Sequence, residues 1–145
     1  MGMRRKSREC ALQVLFQADI NGEEPETTVY FEHHRVSKRI EDFARHLISG
    51  CGAHRDQIDT LITEYSVNWS VDRIGAIERN IMRIAAFELL FEWTTPPKVV
   101  IDEAIEVSKK FGPNESHAFV NGVLDGIRKG IEQGKIACAK DTRQP

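Results

Sequence analysis

Residues 77–90 read IERNIMRIAAFELL, and this stretch decides the fold class. Ile74, Ile77, Ile81, Ile84, Ala85 and Leu89 recur at helical spacing and make one apolar stripe. Met82, Ala86, Leu90 and Trp93 make a second. A helix that is apolar on two sides has to be covered on both, which places it at the centre of its domain. Ser70 or Asp72 is the expected cap, and the helix should run to about Trp93, where Thr94-Thr95-Pro96-Pro97 stops it.

The flanking segments supply the cover. Leu12, Leu15, Phe16 and Asp19 follow helical spacing and, with Ala11, Val14 and Ala18 widening the face, form a first helix with Ser7 as its expected N-cap and Asn21-Gly22 as its end. A short helix is expected from about Glu26 to His34. Ile40, Phe43, Ala44, Leu47, Ile48 and Cys51 lie at i, i+3, i+4, i+7, i+8 and i+11. Ile58, Leu61, Ile62 and Tyr65 form a shorter stripe. Past the prolines, a helix from Lys98 to Lys110 turns Val100, Ile101, Ala104, Ile105 and Ser108 inward. After the Phe111-Gly112-Pro113-Asn114 turn, a last helix starts near Glu115 and carries Phe119, Val120, Val123, Leu124, Ile127 and Ile131. No segment alternates with period two. The reading is all-α, with about seven helices in one domain over residues 1–133 and a loose polar tail over 134–145.

The chain has 145 residues, 41% of them hydrophobic, which suits one domain with a sizeable core. It has no apolar run of membrane-spanning length and no signal-peptide h-region, so a cytoplasmic protein is expected. Cys10, Cys51 and Cys138 form no CxxC pair; the first two fall on apolar helix positions and should be core residues.

Catalytic chemistry is not visible. His33 and His34 are adjacent, so their side chains diverge by about 100° on a helix and do not share a metal easily. Glu103 and Glu106 lie three apart without a nearby histidine and read as a solvated acidic face. Gly-rich phosphate loops, GxSxG and HExxH do not occur. No enzyme, metal or cofactor is expected. Two carboxylates stand on apolar stripes. Glu88 should be ion-paired with Arg79, Arg83 or a facing helix, and Glu78, nearer the helix start, should reach a surface. Asn121-Gly122 inside the last helix predicts a close approach by another helix, because Gly costs ~1 kcal/mol there.

Arg4, Arg5, Lys6 and Arg8 put +4 at the start of the chain, against −2 for the whole sequence, which leaves −6 for the rest. Positive charge at a helix N-terminus opposes the helix dipole. Either an anion such as phosphate offsets that penalty, or the end is simply solvated.

Several segments together resemble one family. RRKSRECALQVLF, IERNIMRIAAFELL, PPKVVIDEAIEVSKKFG and SHAFVNGVLDGI, in this order, are similar to helices of the NusB family of bacterial transcription antitermination factors. The resemblance runs from Arg4 to about Ile127. It implies two packed helical subdomains that bind boxA RNA of ribosomal-RNA leaders, pair with the ribosomal protein NusE and join the RNA polymerase antitermination complex. Carried onto matching positions, it implies RNA contacts at Arg4, Arg5, Lys6 and Arg8, and at Lys110, Phe111, Glu115, Ser116 and Phe119. Phe111 and Phe119 could stack on unpaired bases or pack in the core. It implies a NusE-facing surface at Phe16, Asp72 and Glu78, with Phe16 standing where a familiar member has tyrosine. Three to four phosphate contacts would give a log–log salt slope of about −2 to −3. Two other readings remain open: a homodimeric helical scaffold, and the N-terminal RNA-binding part of a ribosomal-RNA cytosine methyltransferase.

Overall fold

The computed structural model describes residues 2–67, 69–92, 94–113 and 115–137. Seven α-helices and one 3-10 turn are found among them: α1 (Met3–Asn21), α2 (Thr27–His33), α3 (Lys38–Ala53), α4 (Arg55–Tyr65), α5 (Ala76–Phe91), α6 (Pro97–Phe111) and α7 (Ser116–Glu132), with the turn at Val71–Arg73. The described residues contain no strand.

Helix α5 is the hub expected from its two stripes. It packs against α1, α3, α4, α6 and α7. Met82, Ile84, Ala85, Ala86, Leu89 and Leu90 are all buried. Around it, Leu12 of α1, Leu47 of α3, Ile58 and Ile62 of α4, Val100 of α6 and Leu124 and Ile127 of α7 close one continuous core. Each such side chain contributes about 1.5–3 kcal/mol by leaving water. A small second cluster, Cys10, Phe31 and Ala44, seats the short α2 on α1 and α3. Burial pushes the thiol of Cys51 up to about 12, as expected of a packed core thiol.

The helix ends follow local chemistry. Glu26 caps α2 by accepting from the Val29 amide at 3.1 Å, and the Ser37 hydroxyl accepts from Ile40 N at 3.3 Å to start α3. Gly22 closes α1 at φ +67°, a left-handed conformation that glycine adopts without strain.

Several expectations are corrected. Helix α1 starts at Met3, with Gly2 as its cap, so Ser7 lies within the helix. There it is buried and donates to the Met3 and Ile40 carbonyls, which ties α1 to α3. Helix α5 starts at Ala76 behind Gly75; Ser70 and Asp72 belong to the preceding 3-10 turn and do not cap it. Gly122 is exposed, with open space where a Cβ would sit, and Asn121 is exposed beside it, so no described helix crosses there. Within the expected tail, Ile136 is buried against Gly130 and the core. Trp93, Cys138 and residues 138–145 lie outside the described residues.

Candidate nucleic-acid interface

The four N-terminal cations divide by environment. Arg8 is buried, and its guanidinium grips Glu88 of α5 through two bonds, Nε–Oε2 at 2.7 Å and Nη2–Oε1 at 2.8 Å. Side-chain exposure is 6% for Arg8 and 1% for Glu88. This answers the question of what Glu88 pairs with: the partner sits on a facing helix. Of the four N-terminal cations expected to meet RNA, Arg8 is the one buried in an internal ion pair.

Arg5 is part-exposed and forks onto Glu103 of α6, at 3.0 and 2.7 Å. The same Glu103 lies 3.5 Å from Arg8 Nη1. The Arg5 hydrogen bonds hold the Glu103 carboxyl below the usual carboxylate range, and Glu103 in turn raises Arg5. Glu103 is therefore not part of a solvated acidic face; it is the anchor of the basic turn. Glu106 is the exposed one, 3.7 Å from Lys109. The dipole penalty of the basic N-terminus is thus partly offset from within, by carboxylates of α5 and α6.

Lys6 is exposed. Arg4 is exposed as well, but it is not without contacts. Its Nη1 donates to Thr94 Oγ1 at 2.6 Å and Thr95 Oγ1 at 2.9 Å, and its guanidinium lies 4.2 Å over the Phe43 ring.

The second expected segment adjoins the first. Lys110 Nζ lies 3.0 Å from Glu9 Oε1, with the Lys110 side chain 59% exposed and that of Glu9 nearly buried. Two ion pairs, Arg5–Glu103 and Lys110–Glu9, therefore clamp α6 along the N-terminal turns of α1. Phe111 is half-buried, its ring centre 5.3 Å from the Lys110 ammonium. Phe119 is half-buried against the core. Each ring packs inward on one side and keeps some exposure. Glu115 is exposed at the start of α7. Ser116 is buried, and its hydroxyl donates to Pro113 O at 3.0 Å within the turn.

The expected partner residues lie on neighbouring elements. Phe16 on α1 is half-buried, Asp72 in the 3-10 turn is exposed and Glu78 on α5 is half-buried beside Gly75. An ionic knot that sequence reasoning missed joins these elements. Asp19, three residues beyond Phe16, accepts from Arg79 Nε at 2.7 Å, Asn80 Nδ2 at 2.9 Å and Arg83 Nη1 at 3.1 Å. Arg79 also donates to Ile74 O. Burial opposes ionisation of Asp19, but the bonds from Arg79 and Asn80 and the nearby Arg83 charge outweigh it and bring its carboxyl down to about 2. Ile77 approaches Gly112, so the start of α5 adjoins the α6–α7 turn and the two expected surfaces are neighbours.

Among the described residues, no group of three or more His, Cys, Asp or Glu is arranged to hold a metal. His33 and His34 bond the Val29 and Tyr30 carbonyls, and the His34 ring stacks on Tyr30 at 4.1 Å. No described helix is long and apolar enough to cross a membrane.

Residues 5–129 match the NusB family. The transcription antitermination protein NusB of Trichlorobacter lovleyi is 43% identical over 143 residues, covering 97% of this chain and 95% of that protein. Among solved structures, T. maritima NusB superposes with a TM-score of 0.81 at 36% identity, over 92% of this chain and 97% of that one. A crystal structure of antitermination factors NusB and NusE in complex with dsRNA gives a TM-score of 0.81 at 30% identity, over 88% of this chain and 97% of the matched one. With the family match over residues 5–129 and the sequence and fold likeness in agreement, the chain belongs to the NusB family.

Proposed function

We propose that this protein is an RNA-binding transcription antitermination factor. It binds boxA-type leader RNA of ribosomal-RNA operons together with NusE, within the RNA polymerase antitermination complex. It acts by binding, without catalysis or a cofactor, in the cytoplasm. One observation carries the RNA site: the ion pairs of Arg5 with Glu103 and of Lys110 with Glu9 set the basic turn of α1 beside the end of α6, making one surface of two distant segments. Lys6 and Lys110 face solvent, Arg5 is part-exposed, the Phe111 ring lies beside the Lys110 ammonium, and Phe119 on α7 is half-buried. Such a mixture suits single-stranded RNA, where phosphates meet cations and unpaired bases meet rings. NusE docks, on this reading, at the adjoining surface of Phe16, Asp72 and Glu78. The match covers 95% of the T. lovleyi relative, which is named a transcription antitermination protein.

The test is fluorescence anisotropy with boxA RNA at several salt concentrations, with and without NusE. A log–log slope of about −2 to −3 is expected from three to four phosphate contacts. Arg5→Ala with Lys6→Ala should flatten the slope. No binding to boxA RNA, with or without NusE, would sink the proposal.

A further inference from the structure

The contacts of Arg4 set it apart from its basic neighbours. Arg5 and Lys110 face carboxylates. Arg4 lies on an aromatic ring instead, 4.2 Å from the centre of Phe43, with Nη1 held by the hydroxyls of exposed Thr94 and buried Thr95. A planar cation stacked on a ring and held at one end by hydroxyls is fixed in orientation. Its surroundings disfavour phosphate. Thr94 Oγ1 lies 3.3 Å from Glu92 Oε1, so a carboxylate stands one hydroxyl away from Arg4. The ring surface continues sideways on α3: His46, half-exposed, has its ring 6.1 Å from that of Phe43 at a tilt of 30°, with Nε2 2.7 Å from Glu92 Oε2. Phe87 supports His46 from below at 5.4 Å, edge to face.

Resting on the RNA-binding reading above, we propose that Arg4 and Phe43, bordered by His46, form a stacking platform for an unpaired nucleobase. The base lies on the outer face of the Arg4 guanidinium, whose inner face is already on Phe43. Arginine planes and aromatic rings are the surfaces on which single-stranded RNA bases stack, and stacking tolerates a nearby carboxylate that would repel a phosphate. The platform extends the RNA path from α1 across α3, a helix that neither RNA-contacting segment of the sequence includes.

Two variants and a set of abasic RNAs test it. Arg4→Lys keeps the charge and removes the plane; Phe43→Leu changes no charge and removes the ring. Each should weaken boxA RNA binding about 5- to 100-fold and leave the salt slope unchanged. In an abasic scan of the RNA, one position should cost the wild-type protein a similar factor and cost either variant nothing more. Thermal melting checks the fold; Arg4→Lys alters only a surface side chain and decides the matter if Phe43→Leu melts early. Wild-type affinity in Arg4→Lys, or additive losses at every abasic position, overturns the platform while leaving the RNA-binding reading intact. A wild-type protein that binds no RNA removes both.

Discussion

Replacing Arg8 distinguishes a buried brace from an RNA ligand. Its guanidinium is bound to Glu88 at 2.7 and 2.8 Å, and exposure is 6% and 1% for the two side chains. Arg8→Met leaves the Glu88 carboxylate unpaired beneath α1. Breaking one side of a buried ion pair costs about 3–5 kcal/mol. For a domain of this size the urea slope is about 2 kcal/mol per M, so the midpoint should fall by about 2 M. Arg8→Met combined with Glu88→Leu removes both charges and fills similar volume, and stability should return to within about 1 kcal/mol of the wild type. Glu103 keeps its Arg5 partner in both variants. Urea unfolding gives the stabilities, and anisotropy across salt gives the RNA contacts. The double variant should bind boxA RNA with the wild-type slope. A ligand role for Arg8 would instead flatten the slope by about 0.7. The reasoning is refuted if Arg8→Met unfolds at the wild-type midpoint, or if the stable double variant loses a salt-dependent contact.

Two further outcomes test the fold. Asp19 has a folded carboxyl at about 2 against an ordinary 3.8. Its stabilisation is complete above pH 4 and is lost as the pH falls through about 2. With partial solvent access this amounts to about 1–2 kcal/mol, so Asp19→Asn should cost that much at pH 7 and progressively less in acid; parallel stability curves from pH 2 to 7 would contradict it. A pair of glycine substitutions should differ in sign. Gly50→Ala drives a Cβ into the buried Phe87 ring and should destabilise by about 1–3 kcal/mol, whereas Gly122→Ala enters open space on α7 and should stabilise by up to about 1 kcal/mol. Chemical denaturation of both would show an error if the order were reversed.

Much of the interface was legible in the chain, though not its division of labour. Arg4, Arg5, Lys6 and Arg8 read as one basic cluster because sequence position shows charge and not burial. On α1 the helical turn separates them: Arg8 faces α5 inside, Arg5 reaches α6, and Arg4 and Lys6 are exposed. Glu103 looked solvated because its partner is 98 residues away. Phe43 looked like core, which its partial burial bears out only in part, since the cation over its ring comes from another helix. The Asn121–Gly122 expectation failed because a glycine in a helix signals permitted contact without showing that a neighbour is present.

By itself the sequence determined what depends on periodicity and local chemistry. Apolar spacing of three and four residues gave the helices, the double stripe put Ile77–Leu90 at the centre, and the ordered motifs resembled one family. Which charges cancel inside and which face outward was decided only by tertiary packing. Pairs such as Arg8 with Glu88 or Lys110 with Glu9 are remote in sequence. A long-range ion pair forms only when helix packing brings its members within about 3 Å, and it escapes water only where the helices bury it, as they do Arg8 with Glu88; no local pattern encodes that distance.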